Sequence, residues 1–159
     1  MSAGAPVEDR DTLKLAPQFR LAVEAALLDC AATGLDAYVF EAMRSEELQA
    51  FYYTRGRTLI PPEKPVTNAR SALYSWHGFG LAVDVVSRAH GWDRPWTWWV
   101  AVAAHFSRQG CRWGGEWRNP DPPHHQWGLC KPSPSHRARE LLASGGLPAV
   151  WAAVRANVP

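Results

Sequence analysis

SWHGFGLAVDVV, residues 75–86, is the stretch whose reading decides the fold. A strand buried on one face alternates apolar and polar side chains. Here a histidine, His77, precedes two glycines and an alanine, and an acid, Asp84, is driven into an apolar run. Burying a lone carboxylate costs roughly several kcal/mol unless a partner compensates its charge. Asp84 therefore needs a partner, and His77 lies seven positions before it. Gly78, Gly80 and Ala82 suit a backbone that turns tightly and then packs closely beside a site. The stretch reads as a turn running into a strand from about Leu81 to Val86.

Downstream, Pro95 opens a helix that carries Trp99, Ala103 and Phe106 and that Gly110 ends. CRWGGEW (111–117) and HHQWG (124–128) read as short strands around the proline-rich NPDPP. Two short helices, about 135–144 and 148–156, are split by Gly145-Gly146. Upstream, Pro17 begins an amphipathic helix with Phe19, Val23, Leu27 and Cys30 on one face and Gly34 as its stop. LDAYVFEAM (35–43) reads as a strand. Ser45 then caps a second helix, with Glu46 and Glu47 in its first turn and an end near Gly56. Residues 55–75, with Pro61, Pro62 and Pro65, have no period and form an irregular loop longer than compact domains keep without a function. Residues 1–15 are expected to be a loose N-terminal arm. No repeat or composition shift divides the chain, so residues 1–159 read as one domain.

A chain of 159 residues, 47% hydrophobic and 20% charged, folds around a core that buries about two-thirds of the unfolded surface. A net charge of +2 is too small to argue for a nucleic-acid partner. The nine tryptophans fill a core or line a groove. Trp96, Trp98 and Trp99 suit helix packing, whereas Trp113, Trp117 and Trp127 flank the second motif and are candidates to line a groove. Cys30, Cys111 and Cys130 are odd in number and lack CxxC pairing, as free thiols of a reducing compartment do. The N-terminal MSAGAPVEDRDTLKLAP has no apolar core of a signal peptide, and the run from Trp96 to Phe106 is too short to cross a bilayer. The expectation is a soluble monomer made in the cytoplasm, with no membrane insertion.

Two clusters carry chemistry: Ser75-x-His77-x-x-Gly80-x-Ala82-x-Asp84, and Asp121-Pro-Pro-His124-His125-Gln126. Imidazole nitrogens with a carboxylate oxygen suit Zn²⁺, and a catalytic zinc keeps three protein ligands and an open fourth position. His77, Asp84 and one of His124 or His125 supply that set. Asp121, three residues before His124, is placed to act as general base. A competing set, Cys111, His124, His125 and Cys130, lacks the tight pairs of structural zinc sites. His90, His105 and His136 read as solvated or structural.

SxHxxGxAxD followed by DxPHxQ resembles the LAS-type, VanY-like zinc metallopeptidases of bacterial cell-wall peptides. These include D-alanyl-D-alanine carboxypeptidases and dipeptidases and the L-alanyl-D-glutamate endopeptidases of phage endolysins, with the hedgehog signalling domain as a structural relative. The resemblance implies an α+β fold, a small antiparallel sheet carrying one zinc ion and packed with helices. It implies His77, Asp84 and His124 as ligands, Asp121 as catalytic acid/base, and Arg44 as the arginine that stabilises the transition state. The spacing from Asp121 favours His124 over His125, which is left a role behind the ligands or in the groove. Ser75 falls near the substrate's carboxylate in that family. Gln49, TRGRT (54–58) and VTNA (66–69) fit its endopeptidase branch, and Trp127 flanks the groove. The dipeptidase branch has a Glu-Trp-Trp-His type sequence where this chain has Asp-Pro-Pro-His. The implied activity is hydrolysis of the L-alanyl-D-glutamate bond of peptidoglycan by an endolysin that acts on the wall after release. The alternatives are a D-alanyl-D-alanine carboxypeptidase on the same scaffold and a zinc-bearing binding module without hydrolysis.

Overall fold

Among the described residues four strands form a single antiparallel sheet in the order β1-β2-β4-β3: β1 (Ala37–Glu41), β2 (Ala82–Ser87), β3 (Cys111–Trp113) and β4 (His124–Trp127). The computed structural model describes residues 4–59 and 64–155. Residues 1–3 of the expected arm, Pro61 and Pro62 of the expected loop, and residue 156 of the expected last helix lie outside the described residues.

Alternation along the strands creates two faces. Val83 pairs with His125, and His125 pairs with Trp113, so these three share one face. Asp84 pairs with His124, and Ala82 with Gln126, on the other. The first face is covered by α1 (Pro17–Ala32) and α3 (Trp96–Arg108). The helix α1 buries Phe19, Ala22, Val23, Ala26 and Cys30, and α3 buries Trp98, Trp99, Val102, Ala103, His105 and Phe106. Each large apolar side chain taken from water here contributes roughly 1.5–3 kcal/mol. That is why two helices with one apolar stripe each settle against an apolar sheet face. Trp96 departs from its expected core place: it is half exposed and leans on Trp113, with ring centres 5.2 Å apart.

Among the described residues two further α-helices complete the fold. Ser45 caps α2 (Glu46–Thr54), its Oγ accepting a hydrogen bond from the Leu48 N–H. The last helix, α4 (His136–Arg155), breaks at Gly146 (φ 69°) just before Pro148, so it is the two helices expected from the sequence, laid end to end. Trp151 Nε1 donates to the Phe79 carbonyl at 2.7 Å and ties α4 to the motif turn.

The N-terminal arm is not loose over its described residues. Ala42 N–H donates to the Asp9 carbonyl at 2.7 Å, Arg10 Nε donates to the Phe40 carbonyl, and Leu15 and Ala16 are buried. The arm therefore lies along the end of β1, an edge strand whose open backbone groups need partners. All three cysteines are free and buried, and burial pushes their thiols up, Cys30 to about 11 and Cys111 and Cys130 to about 12. Among the described residues no helix is long and apolar enough to cross a membrane.

Candidate metal centre

His77 sits on a one-turn 3-10 helix, Trp76–Phe79. Ser75 opens that turn with its Oγ accepting from the His77 N–H at 3.4 Å. Gly80 closes it at φ 67°, a conformation that costs other residues energy, and the chain enters β2. Asp84 then faces its direct cross-strand neighbour, His124 of β4. The seven-residue step of the sequence thus converts into a meeting of three side chains.

His77 Nε2 lies 3.3 Å from Asp84 Oδ1, and His124 Nδ1 lies 3.5 Å from the same oxygen. One ligand atom from each of the three falls within 4.8 Å of the others. The far side of each ring fixes which nitrogen carries its proton. His77 Nδ1 is 3.0 Å from the Ala42 carbonyl, which can only accept, so Nδ1 is protonated and Nε2 presents a lone pair. His124 Nε2 is 3.0 Å from Gln126 Oε1. The Gln126 amide is itself oriented because its Nε2 donates to the Lys131 carbonyl at 3.0 Å. His124 Nδ1 is therefore the free lone pair. Hydrogen bonds of this kind behind a ligating histidine are the usual support of a metal site.

In the neutral tautomers that these hydrogen bonds select, three electron-rich atoms converge with no proton between them. His77 Nε2 and Asp84 Oδ1 are buried and have no hydrogen-bond partner, a costly arrangement that a cation relieves. The N, N, O donor set fits a divalent metal ion of the zinc type. Burial works to raise the Asp84 carboxyl, but His77, His124 and Arg44 outweigh it and hold it well below the usual carboxylate range. Burial likewise works to lower His124, and Asp84 and Asp121 outweigh that and raise it.

Asp121 is held by backbone rather than by its side chain. Its N–H donates to the Gly114 carbonyl at 2.9 Å, and its own carbonyl accepts from His124 N–H at 3.2 Å. The three-residue spacing of Asp121 and His124 is thus a turn packed against Gly114. A Cβ on Gly114 would lie 2.6 Å from the Asp121 oxygen and 3.0 Å from His124 Cβ. Burial, followed by the charge of Asp84, raises the Asp121 carboxyl, which makes it a better base. Trp117, 37% exposed, places its ring centre 4.8 Å from that of His124 and walls the mouth of the site.

Arg44 is buried and committed. Nε and one terminal nitrogen, NH2, form a two-point pair with the Glu41 carboxylate, NH1 donates to Gln49 Oε1 at 2.9 Å, and NH2 also reaches Asp84 Oδ2 at 3.3 Å. Gln49 is fully buried, and its Nε2 donates to Thr67 Oγ1 and the Ala69 carbonyl. It anchors the long loop and Arg44, and its expected place against substrate is corrected to one behind Arg44. Ser75 serves its own turn. His125 is corrected as well: alternation sends it to the helix face, where it stacks on Phe106 at 4.1 Å with both ring nitrogens unpartnered. Trp127 lies on that face too, against Phe19, and not in the groove. The rival set of Cys111, His124, His125 and Cys130 is not assembled, and among the described residues the only gathered group is His77, Asp84 and His124. Sequence reasoning missed Glu41 and Gln126. An acid closing the apolar strand LDAYVFEAM is the same anomaly that exposed Asp84, and it was there to be read.

Residues 68–127, the segment that carries both motifs, match the model of a family described as D-alanyl-D-alanine carboxypeptidase. Two solved structures share the fold. The L-Ala D-Glu endopeptidase ChiX of Serratia marcescens is 23% identical, with a TM-score of 0.56, and the likeness covers 78% of this chain and 88% of that one. The LD-carboxypeptidase LdcB, described in connection with peptidoglycan recognition, is 15% identical with a TM-score of 0.55, over 99% of this chain and 76% of that one. Motifs, matched segment and fold agree, and the resemblance to the VanY-like peptidases stands.

Proposed function

We propose that the chain is a zinc-dependent peptidase of peptidoglycan stem peptides that cleaves the L-alanyl-D-glutamate bond. The observation that carries the reading is the convergence of His77 Nε2, Asp84 Oδ1 and His124 Nδ1 beside the raised carboxyl of Asp121. When bound, Zn²⁺ supplies Lewis acidity, lowering the pKa of an attacking water and polarising the scissile carbonyl. Asp121 takes a proton from that water as its oxygen bonds to the carbonyl carbon, then gives the proton to the departing amine as the C–N bond breaks. His77 and His124 keep their lone pairs turned inward because Ala42 and Gln126 hold the opposite nitrogens. Trp117 lies beside His124, with ring centres 4.8 Å apart.

Likeness to an L-Ala D-Glu endopeptidase supports the choice of bond. A second reading, a carboxypeptidase, draws on the description of the matched family and on the LD-carboxypeptidase of like fold. Mass spectrometry of muropeptides digested by the pure protein separates them. Release of peptides starting at D-glutamate is expected. Release of a C-terminal D-amino acid alone would overturn the endopeptidase reading, and no cleavage with zinc present would overturn both. The wider setting we infer is that of an endolysin, a reading supported by the motif resemblance, and it requires that the pure protein lyse permeabilised bacteria.

A further inference from the structure

The end of β1 supports two of the three candidate ligands at once. The pairing of β1 with β2 slips between Val39 and Glu41, so the strand bulges where it reaches Asp84. Bulges re-aim side chains and backbone beside functional sites. Here the result is four contacts from Glu41 to Arg44. The Ala42 carbonyl accepts a hydrogen bond from His77 Nδ1, Arg44 N–H donates to the His77 carbonyl at 3.0 Å, Arg44 NH2 reaches Asp84 Oδ2, and Glu41 grips Arg44 at two points.

We propose that Glu41 is a positioning residue of the metal centre. It clamps Arg44 so that the guanidinium engages Asp84 Oδ2, leaving Oδ1 to turn to the ion. The inference rests on the reading that His77, Asp84 and His124 hold a metal. Glu41 is 1% exposed, so its two-point pair with Arg44 is shielded from water. Tyr52 completes the clamp, its ring 4.9 Å beneath the guanidinium and its hydroxyl 3.3 Å from Glu41 Oε2. Of the five N–H donors of an arginine, four are taken by Glu41, Gln49 and Asp84. An arginine so occupied acts on substrate poorly and on Asp84 well. Glu41 also neutralises Arg44, which otherwise places a full positive charge beside a site for a cation. Removing the carboxylate therefore weakens metal binding twice over: Asp84 loses its orientation, and the local field turns less favourable to a cation.

The test measures zinc affinity by competition with a chelator, together with kcat and KM at saturating zinc, for the wild type, Glu41→Gln and Arg44→Lys. Glu41→Gln keeps the shape of the side chain without its charge, and Arg44→Lys keeps the charge without the fork. Both are expected to lose affinity for zinc by about 10- to 100-fold, the usual penalty for losing a residue that holds a ligand, with KM at saturating zinc unchanged. If Glu41→Gln fails to fold, Arg44→Lys, which leaves Glu41 facing a cation, carries the test alone. Wild-type affinity in the folded variants, or an Arg44→Lys protein that binds zinc normally but shows a raised KM, overturns the inference and returns Arg44 to the substrate. A wild type that binds no zinc overturns the metal reading itself, which is a different result.

Discussion

At the scale of the residue, neighbours decide what each acid and imidazole does. Asp84 and Asp121 are both aspartates near His124, yet the first is driven down by cationic partners and the second up by burial and by Asp84. The one suits a ligand and the other a base. Asp121→Ala is expected to bind zinc as the wild type does while turnover falls by about 10²- to 10⁴-fold, the range for losing a general base; metal content and peptide cleavage on the same preparation check it. His125 yields a prediction about pH. Burial, with a smaller push from His124, lowers its imidazole to about 3, against 6.5 when unfolded. The folded state binds fewer protons between these values, so its stabilisation is complete above about pH 6.5 and drains as pH falls toward 3, by up to about 1.4 kcal/mol per unit. In metal-free protein, denaturant melts at pH 7 and pH 5 are expected to show this loss in the wild type and less of it in His125→Phe. The gathering of His77, Asp84 and His124 was legible because the spacing of such side chains is set by backbone geometry. The misplacement of His125 and Trp127 was avoidable, since alternation in HHQWG sends them opposite to His124. Glu41 was legible as an acid ending an apolar strand, but not the partners it meets, since it joins the site through Arg44 and Asp84.

Elements position the site through backbone approach. The turn from Asp121 to His124 lies on Gly114 so closely that no side chain fits there without displacing one of them. Gly114→Ala is therefore expected to shift the turn, lowering both zinc affinity and activity while the helices remain; circular dichroism alongside zinc titration checks the separation. The helices α1 and α3 were readable from periodicity because each buries one face, whereas β2, buried on both faces, was readable from its apolar run after the glycine turn. The break in α4 was readable too, since Gly145-Gly146 and Pro148 cannot continue a helix. The N-terminal arm was not readable. It is fastened by main-chain carbonyls and by Arg10 across thirty residues, contacts that leave no period in the sequence.

For the whole molecule, the helix-covered face of the sheet supplies stability and the opposite face stores electrostatic cost. His77 Nε2 and Asp84 Oδ1, buried without partners, disfavour the metal-free fold. On the proposed metal reading, zinc at a hundred times its dissociation constant is expected to add about 2.7 kcal/mol of stability. For a domain of this size that raises Tm by roughly 5–10 °C, a shift that thermal melts with zinc and with chelator measure directly. The same linkage makes the fold and the site one problem, because the strand pairing of Asp84 with His124 that closes the sheet also closes the ligand set. The measurement that reaches the central claim most directly is the metal content of the purified protein, wild type against Asp84→Asn, read by elemental analysis after equilibration with zinc. One tightly held zinc per wild-type chain and its loss from the variant is the predicted result. Equal zinc in both proteins, or none in the wild type, would contradict the account.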